Sequence, residues 1–203
     1  MRAFLGISVL LVACSSAPDP SGEACPAMTG PDAGELSALS AQRCNVPGSM
    51  GVRNWYRLSA MLPGGDDIVQ VELWPDRGAF RGGPIVPGTY QLTGDDLDFG
   101  TCGVCLRAIG DKGLPTQREY FAIAGTVEVT AVSGAEGAPF VATVLEASFA
   151  EVNKDHVEVS DGCALDLDHV KISGAVTLMG GAGGGSGGGG GAAVAGCPTT
   201  VGD

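Results

Sequence analysis

The sequence predicts an all-β protein, an antiparallel β-sandwich or jelly roll, with a short N-terminal helix and a flexible Gly-rich C-terminal tail. Three observations favour this class. Apolar and polar residues alternate with a period of two in many short runs, which is the pattern of half-buried strands. Clusters of Gly, Pro and Asp interrupt these runs roughly every 8–15 residues. No long helical period lies between the runs, so βαβ units are not expected.

The predicted strands follow one another from Trp55 onwards. Turn-forming residues, such as Pro63-Gly64-Gly65-Asp66-Asp67, separate them. We expect the β domain to occupy residues 50–179. The runs that predict strands are 55–62, 69–73, 87–92, 102–109, 118–124, 125–132, 140–152, 157–159, 165–167 and 170–178.

Residues 32–49 predict a short helical segment. Asp32 is an expected N-cap, and Glu35 three residues later completes a capping box. Leu36 and Leu39 follow at helical spacing, and Pro47-Gly48 ends the pattern.

Composition excludes several partner classes. The formal net charge is −12 over 203 residues, whereas nucleic-acid binding needs Lys and Arg to neutralise phosphates. The same charge disfavours electrostatic binding to anionic lipid headgroups. We therefore expect no nucleic-acid partner, and no motif predicts a cofactor or a resident metal. A protein or a glycan is the expected ligand.

The first residues resemble an export signal. Met1-Arg2 supplies a positive charge, and residues 3–12 are apolar or small apart from Ser8. This run is too short to cross a membrane, which needs about 20 residues, and it is typical of the apolar part of a secretory signal.

Leu11-Val12-Ala13-Cys14 resembles the lipobox of bacterial lipoproteins. The resemblance implies that residues 1–13 are a removed signal peptide, that Cys14 is lipidated, and that residues 14–31 form a lipidated tether. Two or more acyl chains make such attachment stable. Ser15 after the cysteine implies the outer membrane, so the expected location is the cell envelope.

The other six cysteines are Cys25, Cys44, Cys102, Cys105, Cys163 and Cys197. An even number in an exported protein predicts disulfides, although the sequence does not fix their connectivity. Proximity along the chain favours Cys25 with Cys44, and Cys163 near the Cys102–Cys105 run. Cys197 would then attach the tail, residues 180–203, to the domain.

The Cys102-Gly103-Val104-Cys105 motif has two interpretations. A redox pair would need a nucleophilic cysteine at a helix start, but the following residues predict a strand. The other interpretation is structural. Cysteines three residues apart in an extended strand point to opposite faces, so they would pair with each other only if the chain bends at Gly103.

Acidic loops and two histidines are further candidates. Asp66-Asp67, Asp95-Asp96-Leu97-Asp98 and Asp166-Leu167-Asp168 offer oxygen ligands of the kind that calcium prefers. Solvated turn aspartates explain them more simply. His156 and His169 lie near acidic residues, as zinc ligands would, yet strand-end histidines explain them equally.

A second resemblance concerns short motifs in residues 70–178. Their order is similar to that in a group of uncharacterised, exported, cysteine-containing β-proteins of myxobacteria, which implies a β fold and no particular chemistry. The motifs are Phe80, Pro87-Gly88-Thr89-Tyr90, Thr101–Cys105, Tyr120-Phe121, Ala124–Val127, Phe149–Val152 and Cys163.

The functional expectation is a non-enzymatic, outer-membrane-anchored lipoprotein that binds a ligand or has a structural role in the cell envelope. One alternative is an envelope thiol-disulfide oxidoreductase that uses Cys102 and Cys105. Another alternative is a calcium-assisted glycan-binding module.

Overall fold

Ten β-strands and two 3₁₀ turns, Gly78–Phe80 and Gly94–Leu97, form the regular structure of the described residues. This computed structural model describes Cys25, residues 32–179 and residues 197–202. The strands are β1 (Asp32–Ser37), β2 (Ser40–Gly48), β3 (Gly51–Met61), β4 (Ile68–Leu73), β5 (Gly88–Gln91), β6 (Val104–Gly110), β7 (Arg118–Ala131), β8 (Pro139–Val152), β9 (Ala164–Ala175) and β10 (Thr177–Leu178).

The strands form one curled mixed sheet, which confirms the all-β class. Its order is β1-β9-β8-β7-β6-β4-β3-β2-β10, and β5 pairs with the second half of β7. Two pairings, β1 with β9 and β10 with β2, are parallel. The other pairings are antiparallel, as hairpin-type connections allow.

The inner face of the sheet carries the main apolar core. Tyr56 of β3 and Phe140 of β8 pack edge to face with ring centroids 5.8 Å apart, so distant strands meet across this core. β4 and β6 are buried at every position. Strands with only one covered face would show alternating burial, so a second layer must cover the outside of β4 and β6.

The prediction of a helix over residues 32–49 was wrong, because this segment forms β1 and β2. Asp32 does accept a local hydrogen bond, from the Gly34 N–H at 2.9 Å. Glu35, however, pairs with Lys171 of β9 instead of completing a capping box. Pro47-Gly48 ends a strand at a hairpin rather than a helix. Strand structure therefore begins at residue 32 and not at residue 50.

The connection between β1 and β2 brings the two ends of the curled sheet together. The Ala38 N–H donates to the Ser173 carbonyl of β9, and the Leu39 N–H donates to the Ser59 carbonyl of β3, both at 2.8 Å. Gly174 allows this approach, because a Cβ there would lie 2.7 Å from the Ala38 Cβ. The curl therefore depends on main-chain bonds and one close glycine contact.

Several sequence predictions fall on residues that the structure does not describe. These are the signal peptide, Cys14, the tether apart from Cys25, and the flexible tail over residues 180–196. No helical segment in the described part of the chain has the length and apolar character needed to cross a membrane.

Candidate functional site

A second apolar cluster lies on the outside of β2, β3, β4, β6 and β7, and we call it the outer cluster. Trp55 and Trp74 form its centre, with ring centroids 5.8 Å apart in an edge-to-face arrangement. Strand alternation places it there, because the neighbours of its residues point into the inner core. Its buried members are Cys44, Val46, Trp55, Trp74, Cys102, Cys105, Phe121 and Val201.

The chain after the glycine-rich stretch returns to cover this cluster. We call residues 197–202 the clasp. A disulfide joins Cys197 to Cys44 of β2, with Cα atoms 5.7 Å apart. Val201 is buried in the outer cluster, and Gly202 lies so close to Arg107 and Phe99 that a Cβ would clash with both. Cys197 thus fastens the tail to the domain, as the sequence predicts, although sequence reasoning did not identify its partner.

A buried charge network also lies on the outer face. Glu72 of β4 is completely buried, and its Oε1 atom is 2.9 Å from Nη2 of Arg57. Arg107 lies 3.9 Å from the same oxygen and 3.0 Å from Glu119. The carboxylate also accepts hydrogen bonds from Gln70 and Trp74. A buried charge requires such partners, so these groups have a structural role.

Cys102 and Cys105 pair with each other, with Cα atoms 5.3 Å apart. The chain bends at Gly103, whose N–H donates to the Asp96 carboxylate at 2.8 Å and whose carbonyl accepts from the Trp74 N–H at 2.7 Å. Gly103 also lies against the Arg77 backbone with no room for a Cβ. The bend at Gly103 is therefore what lets two cysteines at this spacing meet.

Cys25 pairs with Cys163, with Cα atoms 5.6 Å apart. The expectations that Cys25 would pair with Cys44, and that Cys163 would approach the Cys102–Cys105 run, were wrong. The first expectation assumed a short helix between Cys25 and Cys44. Because β2 is a strand, Cys44 points into the outer cluster, where Cys197 reaches it.

A cleft of about 530 Å³ lies beside the clasp. We call it the clasp cleft. Thr200 and Val201 of the clasp form one wall, and the loop from Asp98 to Gly100 forms another. His156, from the loop between β8 and β9, stacks on Phe99 with ring centroids 3.5 Å apart. Arg77, Asp155 and Val157 complete the lining.

Two side chains of the clasp cleft, Arg77 and Phe99, are held in place by the surrounding structure. The Arg77 guanidinium lies over the Trp74 ring, 4.5 Å from its centroid, and donates to the Gly100 carbonyl at 3.4 Å. Phe99 packs against Phe121 and lies under the guanidinium of Arg107. The cleft therefore combines a fixed aromatic surface with a cation, two carboxylates and a hydroxyl, a combination typical of ligand sites.

A smaller pocket of about 280 Å³ lies on the other side of Arg77. Cys197 and Pro198 of the clasp line it, together with Val46 and Trp74 of the outer cluster. The clasp thus lies between two openings, and its half-buried cysteine faces the smaller one.

The predicted acidic clusters are used for structural bonds. Asp96 is buried and accepts three backbone N–H bonds, from Ala79, Gly103 and Val104. Asp95 pairs with Arg81, and buried Asp67 accepts the Asp111 N–H at 2.9 Å. In the described ranges, no group of three or more His, Cys, Asp or Glu residues could hold a metal ion.

The two histidines lie in different settings. His156 belongs to the clasp cleft, whereas His169 on β9 lies 3.6 Å from Asp32 of β1. They do not form a shared site among the described residues. Sequence reasoning missed the aromatic stack of His156, because its partner is 57 positions away (156 minus 99).

Comparison of the chain with protein-family models, curated proteins and solved structures gives no match. The chemistry of the clasp cleft is therefore the basis for a functional interpretation.

Proposed function

We propose that this chain is an outer-membrane-anchored lipoprotein, without enzymatic activity, that binds a cell-envelope saccharide in the clasp cleft. The anchor rests on the lipobox resemblance at Leu11–Cys14. The binding role rests on the cleft. In this proposal the curled sheet is a flattened sandwich of jelly-roll type, supported by the contact between Tyr56 of β3 and Phe140 of β8.

The observation that carries the binding role is the lining of the 530 Å³ cleft. Saccharides present hydroxyl groups that donate to carboxylates and accept from guanidinium, and their C–H faces pack on aromatic rings. Asp98, Asp155 and Arg77 offer the polar groups, and the stacked Phe99 and His156 offer the rings. Arg77 and Phe99 are held by their neighbours, and such preorganisation reduces the entropy cost of binding.

The oxidoreductase alternative has less support. Both Cys102 and Cys105 are fully buried, and thiol–disulfide exchange requires an attacking thiolate to reach a sulfur atom. The surrounding main-chain bonds at Gly103 support a structural disulfide instead.

Calcium is not required by this proposal. Oδ1 of Asp98 already accepts hydrogen bonds from the Gly100 N–H and the Thr101 hydroxyl. A cation at this point would compete with both bonds. We therefore expect saccharide binding to be the same in calcium and in a chelator, and a strict calcium requirement would favour the calcium-assisted alternative.

The anchor is tested by Cys14→Ser in an expressing bacterium, with palmitate labelling and fractionation. We expect the substitution to abolish labelling and leave an unprocessed precursor, while Cys25→Ser keeps the label. Labelling of the Cys14→Ser protein would refute the lipoprotein assignment.

The binding role is tested by calorimetry with a β-1,4-linked N-acetylglucosamine tetramer and with solubilised peptidoglycan fragments. We expect saturable binding that weakens about tenfold in Arg77→Gln and in Asp155→Asn, since each loses a hydrogen bond to a charged group. Glu35→Gln, on the far β1 edge, is the matched control. Absence of binding to both probes would contradict the saccharide proposal.

A further inference from the structure

A small pocket of about 150 Å³ lies where β3 begins, and we call it the β3 pocket. Its polar lining consists of Arg53, Asn54 and Tyr56. Among the described residues that line it there is no Asp or Glu, so it offers a guanidinium, an amide and a hydroxyl. The rest of the lining is apolar and consists of Val52, Pro75, Pro84 and Ile85.

Arg53 is a half-buried cation with an unsatisfied donor. Its Nε atom is buried and has no hydrogen-bond partner among the residues that the structure describes. Leaving a buried donor of a charged group without an acceptor costs free energy. Such groups are rare in folded proteins and need an explanation. An acceptor that arrives with a ligand would satisfy Arg53.

Asp76 lies near Arg53, but its oxygens are already used. Oδ1 accepts the hydroxyl of Ser49 at 2.7 Å, and Oδ2 accepts the Ser49 backbone N–H at 2.8 Å. These two bonds, more than the charge of Arg53, lower the pKa of Asp76. A Cβ at Gly48 would clash with both the Arg53 stem and the Asp76 carboxylate. The two side chains therefore lie together over Gly48, and Nε of Arg53 still has no acceptor.

The other two polar groups of the β3 pocket can donate hydrogen bonds. Oδ1 of Asn54 accepts a bond from Nε of Arg43 at 2.9 Å, which leaves the amide N–H groups of Asn54 as donors. Burial raises the pKa of Tyr56, so its hydroxyl stays protonated. Donors without a carboxylate in the lining favour an anionic ligand, because hydrogen bonds to an anion are stronger than neutral ones.

We propose that the β3 pocket binds an aliphatic carboxylate, with its oxygens on Arg53 and its chain against Ile85 and Val52. The planar guanidinium fork matches a carboxylate. Ile85 packs against the inner core and Val52 is exposed, so apolar lining extends from the interior to the surface. A phosphate dianion is disfavoured, because Asp76 lies beside Arg53 and the net charge is −12.

The proposal is independent of the saccharide proposal, since the β3 pocket and the clasp cleft share no lining residue. The carboxylate can belong to a free acid or to the C-terminus of a peptide. Butyrate represents the first source and N-acetylvaline represents the second. Both should bind, and the tighter of the two identifies the source.

The test is an NMR titration of the isotope-labelled protein with butyrate, N-acetylvaline, inorganic phosphate and the uncharged analogue butyramide. We expect saturable shifts of the Arg53 Nε–H and the Ile85 methyl signals with both carboxylates. Butyramide should bind at least about tenfold more weakly, because the charged hydrogen bond is lost. Arg53→Gln should weaken butyrate binding by a similar factor. The matched control is Arg81→Gln, which removes the same charge from the exposed pair with Asp95 and should leave binding unchanged.

Four results would overturn the proposal. They are no saturable shift with either carboxylate, equal binding of butyrate and butyramide, tighter binding of phosphate than of butyrate, and native butyrate binding in Arg53→Gln. If Arg53→Gln does not fold by circular dichroism, Arg53→Lys takes its place, since it keeps the charge and loses the planar fork. Weaker butyrate binding in Arg53→Lys supports the proposal, and unchanged affinity contradicts it.

Discussion

Two disulfides contribute to the same outer cluster, yet they differ in nearly every physical respect. Cys102–Cys105 joins residues three positions apart and is fully buried. Cys44–Cys197 joins residues 153 positions apart and borders an open pocket. The first fixes a bend in front of β6, and the second returns the end of the chain to the sheet.

The difference predicts that the Cys102–Cys105 pair is reduced more slowly than Cys44–Cys197, because both of its cysteines are buried. A CxxC pair in a sequence suggests redox chemistry, because the same spacing occurs in redox enzymes. Here Cys102 and Cys105 are buried, whereas Cys197 of the clasp is half-buried and lines a pocket.

The largest effects should come from removing the long-range disulfides. The chain-entropy model gives a stabilisation of about 5 kcal/mol for Cys44–Cys197 and for Cys25–Cys163, and about 2 kcal/mol for Cys102–Cys105. Pairwise alanine variants measured by urea unfolding test this order. A smaller loss for Cys25→Ala/Cys163→Ala than for Cys102→Ala/Cys105→Ala would contradict the entropic contrast.

Glu72→Gln tests the charge network of the outer face. The substitution would leave the Arg57 and Arg107 guanidinium groups without their buried counter-charge, and we expect a loss of about 3 kcal/mol in the free energy of unfolding. The control is Glu35→Gln, which removes the exposed pair with Lys171 and should cost less than about 1 kcal/mol. Equal losses in the two variants would mean that solvent reaches Glu72.

Gly103→Ala tests whether the close packing at Gly103 keeps the Cys102–Cys105 disulfide buried. The added Cβ would clash with the Arg77 backbone, and such overpacking costs about 1–3 kcal/mol. Gly83→Ala is the control, because a Cβ at Gly83 meets no atom within 4 Å. We also expect Cys102–Cys105 to become easier to reduce in Gly103→Ala. An unchanged rate of reduction would show that the bend does not protect the pair.

Tyr120 belongs to the inner core, and its pKa allows a test of burial on the other side of the sheet from the two disulfides. Burial, and secondly the charge of Glu151, raise the pKa of its phenol above the ordinary value of 10.0. Folding therefore favours the protonated phenol, and this stability is lost as pH rises above about 10, by at most about 1.4 kcal/mol per pH unit. Burial also raises the pKa values of Tyr56 and Tyr90.

In Tyr120→Phe we therefore expect a shallower, but not flat, decline of stability between about pH 10 and about pH 11. Urea unfolding at each pH measures it. A slope identical to that of the wild-type protein would show that Tyr120 ionises in the folded state as it does in the unfolded state.

Much of the fold could be predicted from the sequence, because period-two alternation is a local signal. The strands β3, β4 and β6 to β9 lie where alternation places them. The segment from Asp32 to Gly48 could not be assigned correctly, since its capping-box residues fit a helix. Pairing with β9 and β3 overrides that local preference, and long-range pairing is not visible in a short window.

The candidate site was much less predictable. Arg57 and Glu72 occupy polar positions of alternating strands, where a solvent-facing side is expected. Glu72 is nevertheless completely buried and Arg57 is half-buried. Phe99 and the clasp residue Gly202 lie against Arg107 of the same network, and the clasp follows a glycine-rich stretch in the sequence. The disulfide connectivity could not be predicted for a similar reason. Cys197 pairs with Cys44 because the chain after the glycine-rich stretch returns to β2, and no local pattern indicates this return.

Partial reduction with mass mapping tests the central contrast most directly. The native protein is treated with increasing dithiothreitol, new thiols are trapped by alkylation, and labelled cysteines are identified by mass spectrometry. We expect Cys44 and Cys197 to be labelled well before Cys102 and Cys105, while the domain is still folded. Labelling of Cys102 and Cys105 first would contradict it and would identify the CxxC pair as the reactive element.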